Sequence, residues 1–328
     1  MSNLLTNVHN IPLTLALFFA GDDYDGHSDD PYNISVTTLL RSTRQIVLQR
    51  RLPDNLVMDI SSKTKSRLGQ AYHKGIEDAW LSKDLTNNLD RLGIPKRLSK
   101  NIRINPSKEE LLDNPDIIPM YFELRTQKKV GKWTITGKFD QVMNGILEDN
   151  KSTGVYAYIN QSNVTKWAMQ GSLYRWLNPE IITEDYMTIN YLFTDWSAAR
   201  ARSDKKYPPL DIAWQNLNLD LYSKTDQFVS NKLKEIEKYT DTPEEELPLC
   251  TDEDLWRSEA VYKYYSKPDS TRSSKNFSNR FEAESHVVNK GVGHIVTSPG
   301  EVKACKYCAA FTICSQGQSY LQTGELKI

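Results

Sequence analysis

The stretch Gly137-Lys138-Phe139-Asp140-Gln141-Val142-Met143-Asn144-Gly145-Ile146-Leu147-Glu148-Asp149-Asn150-Lys151 decides how this chain is read. Asn144-Gly145 between apolar flanks is a strong hairpin signal, because a type I′ turn needs positive φ at both central residues. A two-residue loop sets Met143 against Ile146 and Val142 against Leu147, and the same count sets Asp140 against Asp149. The register therefore predicts two carboxylates directly across from one another on adjacent strands, their Cβ atoms about 5 Å apart. Lys151 lies two residues beyond Asp149 and projects from the same side of its strand. Like charges so placed destabilise a sheet unless something compensates. Two readings fit: a surface charge cluster neutralised by Lys151, or a site for a hard cation such as Mg²⁺ or Mn²⁺, whose ligands are carboxylate oxygens and water. A lysine beside such an ion can orient a water and offset charge developing on a phosphate.

Working outward, a helix is expected at Leu13–Ala20, followed by a polar, turn-rich stretch from Gly21 to Asn33. Ser35 is placed as the N-cap of a second helix that carries Leu39, Leu40, Ile46, Val47 and Leu48 toward a core. A third helix is predicted over Ser66–Leu81, where Leu68, Tyr72, Ile76 and Trp80 recur every four residues, with His73 and Glu77 on a neighbouring face. Residues 92–118 hold three prolines and many charges and read as a surface excursion. The period then switches to two, which predicts strands at Met120–Arg125, Trp133–Met143 and Ile146–Lys151. A helix at Thr165–Leu177 and a strand at Tyr186–Phe193 follow, and Leu221, Phe228, Val229, Leu233 and Ile236 mark a further amphipathic helix. The order is helix, three strands, helix, strand.

These residues resemble a known family. Gly137-Lys138-Phe139-Asp140, then eight residues, then Asp149-Asn150-Lys151 resembles the core of the PD-(D/E)XK nucleases, most nearly their RecB-type exonuclease branch. Phe139 stands where the motif's name has proline. Gly69-Gln70-Ala71-Tyr72-His73 with Glu77 resembles that branch's upstream histidine helix, and Gln170-Gly171-Ser172-Leu173-Tyr174 its Q-x-x-x-Y helix. Together the fragments cover about residues 66–195. The resemblance implies a restriction-endonuclease-like αβββαβ core, an α/β fold with a central mixed sheet flanked by helices. The expected organisation is a helical N-terminal segment over 1–60 packed on the core, the nuclease core over 61–200, and a helical, cysteine-bearing segment over 201–328.

Carried over residue by residue, the resemblance implies His73, Asp140 and Asp149 as ligands of one or two Mg²⁺ or Mn²⁺ ions, joined by the backbone carbonyl of Asn150. Lys151 would position or activate the attacking water. Gln170 and Tyr174 would hold the substrate strand or support Lys151, with Glu77 and Glu123 as auxiliary acids. The implied activity is metal-dependent hydrolysis of DNA phosphodiesters, first as an exonuclease on single-stranded DNA or DNA ends. The alternatives are a structure-specific or nicking endonuclease and a catalytically silent DNA-binding scaffold. No G-x4-G-K-[ST] loop is present, so an unwinding motor or recombination protein would be a separate partner.

Four cysteines complete the picture: Cys305-x2-Cys308-x5-Cys314 near the C-terminus, and Cys250 upstream. Four thiolates suit a tetrahedral zinc site or a [4Fe-4S] cluster, and four free thiols are the plainer alternative. The C-x2-C-x5-C tail resembles the closing motif of the iron–sulfur members of the branch. The stretch from Leu247 through Cys250 to Asp254-Leu255-Trp256 resembles nuclease proteins common in bacteriophage genomes, which favours Cys250 as fourth ligand, iron–sulfur first and zinc second.

Composition bounds these readings. The 328 residues carry 41 Lys+Arg against 42 Asp+Glu, a formal charge of −1, so DNA must be held by local patches. Candidates are Lys96-Arg97 through Lys100 and Arg103, Lys128-Lys129 with Lys132, and Lys263 through Arg280. No apolar run approaches the roughly 18 residues of a membrane span, Ile11–Ala20 lacks a basic leader, and the cysteines are too few for a disulfide scaffold. The expected location is the cytoplasm, the host's if the protein is phage-encoded.

Overall fold

The computed structural model describes residues 4–21, 30–53 and 56–328. It is a mixed α/β protein. In chain order the elements are β1 (Leu4–Thr6), α1 (Leu13–Ala20), β2 (Asn33–Ser35), α2 (Val36–Leu39), α3 (Thr43–Arg50), β3 (Val57–Asp59), α4 (Thr64–Trp80), α5 (Leu85–Arg91), α6 (Lys96–Ser99), β4 (Ile102–Ile104), α7 (Lys108–Asp113), β5 (Ile118–Phe122), β6 (Arg125–Val130), β7 (Trp133–Lys138), β8 (Gln141–Met143), β9 (Ile146–Thr153), α8 (Val155–Ile159), α9 (Val164–Leu177), β10 (Tyr186–Phe193), α10 (Ala198–Ser203), β11 (Ile212–Asn218), α11 (Tyr222–Tyr239), β12 (Val261–Tyr265), β13 (Lys275–Phe277), α12 (Arg280–Lys290), β14 (His294–Ser298) and α13 (Ser315–Gln322). The chain divides into two compact units, one of residues 1–40 and 53–233, the other of 41–52 and 234–328.

In the first unit, a six-stranded mixed sheet runs β11-β10-β9-β8-β5-β4. The parallel neighbours β9 and β10 are joined by a βαβ crossover through α8 and α9. Strand β10 alternates strictly, burying Met187, Ile189, Tyr191 and Phe193. Helix α9 lies close to the sheet at Gly171, where a Cβ would stand 2.3 Å from Met187 Sδ and 2.8 Å from Leu219 Cδ2. A three-stranded sheet, β2-β7-β6, adjoins it.

Two hairpins share the long segment β7–β8. The first turns at Gly131 (φ 58°) and pairs Val130 with Trp133 through Arg125 with Lys138. The same ladder resumes in the larger sheet as Phe122–Gln141 and ends at Met120–Met143. The second turns at Asn144 (φ 48°) and Gly145 (φ 84°), as a type I′ turn requires, and pairs Met143–Ile146, Val142–Leu147 and Gln141–Glu148.

Several expectations are corrected here. The strand expected at Met120–Arg125 is cut at Glu123, whose φ is 48°, and Trp133–Met143 is cut at Phe139–Asp140; three strands become five. The cut lets one ladder pass from one sheet to the other, so period-two patterning alone runs through it. The helix expected after Ser35 is two helices: Ser35 caps α2 and Ser42 caps α3, each hydroxyl accepting an N–H three residues on. The excursion over 92–118 contains α6, α7 and β4, an edge strand paired in parallel with β5. Leu68 of the α4 stripe is exposed, and Leu221 precedes α11. The expected boundaries at 60/61 and 200/201 give way to breaks at 40/41, 52/53 and 233/234, because β2 joins β7, β11 joins the main sheet, and Arg41–Leu52 packs in the second unit. Of the turn-rich stretch from Gly21 to Asn33, residues 22–29 lie outside the described residues.

The second unit has a three-stranded antiparallel sheet, β13-β12-β14, in a region whose polar sequence gave no strand signal. Its apolar groups are small: Val47, Leu48, Leu247 and Ala310 in one, Leu255, Val302 and Leu326 in the other.

Candidate active site

The cut in the shared ladder sets the site. Where Phe122–Gln141 and Arg125–Lys138 are paired on either side, the intervening count brings Glu123 opposite Asp140, and the Glu123 N–H donates to the Asp140 carbonyl at 2.9 Å. On the other flank the β8–β9 ladder ends at Gln141–Glu148, one pair short of the Asp140–Asp149 pair predicted. Asp140 leaves the ladder there, and its Oδ2 accepts the Asn150 N–H at 2.9 Å. Asp140 thus sits between Glu123, at the break between β5 and β6, and Asp149 of β9.

Helix α4 supplies His73. Its Nδ1 is 3.4 Å from Asp140 Oδ1 and its Nε2 is 2.8 Å from the Asn150 carbonyl oxygen. Ligand atoms of His73, Glu123 and Asp140 all lie within 4.8 Å of one another, which is the spacing of donors that can share one cation. Asp149 is outside that trio, and the Asn150 carbonyl, expected as a ligand, is taken by His73. Glu77 also stands apart, pairing with Lys74 at 3.2 Å.

Each acid has its own cation. Lys138 Nζ lies 2.5 Å from Glu123 Oε2, and Lys151 Nζ lies 2.5 Å from Asp149 Oδ2. Asp149 is 3% exposed. Burial, with the Asp140 charge adding to it, pushes its carboxyl up to about 6 although Lys151 opposes the rise. Burial works against the charge of Asp140 too, but His73, Lys151 and the Asn150 N–H outweigh it and hold that carboxyl below its ordinary range. Burial likewise opposes the imidazolium of His73, and its contacts with Asp140 and Asn150 overcome this, raising it to about 9. Lys151 follows the same logic, its buried ammonium held above the ordinary lysine range by Asp149 and Asp140, and it lies 5.9 Å from the Trp167 ring centre.

His73, Glu123, Lys138 and Asp140 face a cleft of about 840 Å³, which Lys74 and Glu77 also line. The donor set of imidazole and carboxylates fits a hard divalent ion. Gln170 Nε2 donates to Tyr174 Oη at 3.1 Å, and Tyr174 is buried edge-on to Phe139. Tyr174 thus packs on Phe139 beside the Asp140 bend, and the half-buried Gln170 is held on Tyr174. Lys138 is a site residue that sequence reasoning missed, although its place two residues before Asp140 was a signal for it.

In the second unit, Cys250, Cys305, Cys308 and Cys314 are free thiols brought to one neighbourhood. Burial and then the neighbouring sulfurs push Cys305 up to about 11. Cys314 Sγ accepts from Arg44 Nε at 3.3 Å, and Ser42 Oγ lies 3.2 Å from Cys250 Sγ. No three of the four sulfurs lie within 4.8 Å of one another among the described residues.

No protein-family model matches the chain, and no curated protein does. Among solved structures, the chain is similar to the crystal structure of SSO0001 (TM-score 0.38, 16% identity, over 64% of this chain and 78% of that one). It is also similar to a phage-related exonuclease from Haemophilus somnus 129PT (TM-score 0.26, 11% identity, over 48% and 78%). Likenesses this slight say nothing of the chemistry this chain performs. Among the described residues, no helix is long and apolar enough to cross a membrane.

Proposed function

We propose that the first unit is the catalytic core of a metal-dependent DNA nuclease of the PD-(D/E)XK type, acting as an exonuclease on DNA ends. What carries this reading is the grouping of Glu123 and Asp140, at the facing breaks of the shared ladder, with Asp149 on the neighbouring β9 and His73 reaching Asp140 from α4. The element order also supports it: α4, the bent pairs β5–β6 and β7–β8, β9, the α8–α9 crossover and β10 fit an αβββαβ core.

His73, Glu123 and Asp140 would hold a Mg²⁺ or Mn²⁺ ion, with Asp149 alongside, and such an ion supplies a bound water of lowered pKa and charge to stabilise the phosphorane. Lys151, kept charged by two carboxylates, is suited to hold the attacking water or a phosphate oxygen and not to accept a proton. Asp149 fixes that ammonium in place, and Trp167 bounds it on another side. The Asn150 N–H on Asp140 Oδ2 aims the other carboxylate oxygen at the cleft. We further propose that the four cysteines hold an iron–sulfur cluster before zinc. What supports this order is the C-x2-C-x5-C spacing of Cys305, Cys308 and Cys314 together with Cys250 in the same neighbourhood.

The test uses purified protein, Mg²⁺ or Mn²⁺, and end-labelled linear and closed circular DNAs. Wild type should degrade the linear DNA and spare the circles, while Lys151→Ala should lose activity by at least about 100-fold and still bind DNA. Cutting of circles would make it an endonuclease. Equal inactivity of wild type and Lys151→Ala over a range of ions and substrates would leave only a DNA-binding scaffold. Anaerobic purification with a visible absorption spectrum and iron and zinc analysis tests the tail.

A further inference from the structure

We infer that a lysine-lined pocket formed by α5, α6 and the turn before them grips a DNA phosphate several nucleotides from the scissile bond. The inference rests on the nuclease reading above and extends it from the reacting phosphate to the strand that carries it.

Three positive stretches stand out in the sequence, and the fold treats them differently. Lys128 is engaged with Tyr222 and the Trp176 ring, and Lys132 lies over Tyr32. In the second unit, Arg280 pairs with Glu284 and Lys275 lies on Phe277. Lys96 and Lys100 instead turn into a shared pocket of about 520 Å³, where α5 folds back on α6, and Lys83 joins them from the preceding turn. Neither the spacing nor the charge count of the sequence brings Lys83 to this group.

The lining suits an oxyanion held in water. Three exposed ammonium groups, without ion-pair partners among the described residues, supply charge, and Thr86, Asn87 and Ser99 supply neutral donors. Asp90 shares the lining, leaving a net charge of about +2, enough to hold one or two phosphodiesters but not a bare multivalent cation. A nucleic-acid backbone matches this chemistry, since phosphates are met by Lys together with Ser, Thr and Asn.

Position relative to the cleft gives the pocket its role. His73 lies seven residues before the end of α4, and Lys83 three residues after it. At about 1.5 Å per helical residue and at most about 3.6 Å per extended one, the Cα of Lys83 is within about 21 Å of that of His73. A strand advancing about 3.4 Å per nucleotide covers that in about six steps or fewer. The cleft lies along α4 from Arg67 to Asp78, so this helix links the two places. A strand anchored beyond its C-terminal end would be presented lengthwise to the carboxylates.

The experiment compares wild type with the triple variant Lys83→Ala/Lys96→Ala/Lys100→Ala and the corresponding triple Lys→Arg, in the full-length protein. Binding of a labelled 20-nucleotide single strand is followed by fluorescence anisotropy with Ca²⁺ in place of Mg²⁺, across salt. Cleavage of the 20-mer and of a trinucleotide is followed with Mg²⁺. For single strands the salt slope falls by about 0.7 per phosphate contact, so the Ala triple should lose about 1 to 2 units of slope and about 10- to 100-fold in affinity at 0.1 M salt. The Arg triple should bind like wild type, and KM should rise for the 20-mer with trinucleotide cleavage unchanged. Wild type that binds and cuts DNA beside an Ala triple with the same slope and KM overturns the pocket and leaves the nuclease reading standing. An equal loss on the trinucleotide also overturns it, because the lysines would then act on the site itself. Wild type that neither binds nor cuts any DNA overturns both. All three positions are exposed, so circular dichroism and melting should match across the variants.

Discussion

Gly145→Ala tests the chain reversal on which the site depends. Gly145 has φ 84°, and a Cβ there would stand 2.2 Å from Thr183 Oγ1 and 3.5 Å from Thr183 Cβ. The loop cannot easily retreat, because the Gly145 carbonyl accepts the N–H groups of Thr183 and Glu184 at 3.1 and 3.2 Å. Forcing alanine into the left-handed region costs about 1 kcal/mol. Relieving the overlap, by turning the Thr183 hydroxyl or shifting backbone, costs about 1–3 kcal/mol more. The expected total is about 2–4 kcal/mol, read in urea as a lower midpoint at unchanged m-value. Thr183 is exposed, so Thr183→Ala alone should lie within about 0.5 kcal/mol of wild type. The double variant should regain the steric share and keep the conformational one, a coupling of about 1–3 kcal/mol. A loss below about 1 kcal/mol for Gly145→Ala, or coupling within error of zero, would refute the argument that this turn and its packing on Thr183 lock the register.

Gly171→Ala places a methyl against Met187 and Leu219 while gaining about 0.8–1 kcal/mol of helix propensity; overpacking should win, for a net loss of about 1 kcal/mol seen as a melting temperature lowered by a few degrees. For His73, raised to about 9 in the metal-free protein, the stabilisation it contributes is complete below its unfolded value near 6.5 and fades as pH rises through about 9. Chemical denaturation of metal-free wild type should therefore show a decline over pH 6.5–9 that His73→Gln lacks. Mn²⁺ affinity should rise over the same window, because the ligand must first lose its proton, and titration calorimetry in two buffers would count that proton. Arg44 is buried among Glu244, the carbonyls of Glu244 and Leu247, and Cys314, so Arg44→Met should cost about 3–5 kcal/mol of second-unit stability in thermal unfolding.

What the sequence made legible is what local chemistry decides. Asn144-Gly145 sets its own φ angles, so the turn and three pairs of its ladder follow from two residues. The strict alternation of Tyr186–Phe193 and the four-residue repeat before Trp80 give a strand and a helix whose limits agree with expectation within two residues. The Glu123 break was not legible, because a glutamate at φ 48° violates the local preference that sequence reading relies on. Its cause is tertiary: the chain must leave one sheet for another while the pairing count is conserved. The second unit hid for a related reason. Its apolar groups are completed by Val47 and Leu48, nearly two hundred residues before Leu247, and no periodicity within 234–328 announces a partner so distant.

The charge count of the site explains why three acids can be ranked side by side at all. Glu123 rests on Lys138, Asp140 on His73, and Asp149 on Lys151, three negative groups against three positive ones. Adjacent carboxylates would otherwise repel, and burial of Asp149 would add to the cost. Such a site is balanced before any ion arrives, so a divalent cation brings a surplus of two charges into a partly buried place. Release of the His73 proton removes one of them and a bound phosphodiester removes the other. On the proposed function, cation, proton and DNA would therefore be linked: each phosphate seated in the cleft would strengthen the hold on the ion, and each ion would favour the deprotonated imidazole. The same balance argues that Lys138 and Lys151 differ in duty despite equal ion-pair distances. Lys151 is held chiefly by Asp149, a carboxyl nearly sealed from solvent, with Asp140 adding to the hold. Lys138 shares a partly exposed acid that also lies within reach of His73 and Asp140, so on the proposed function its ammonium would be the one to be given up to an incoming strand.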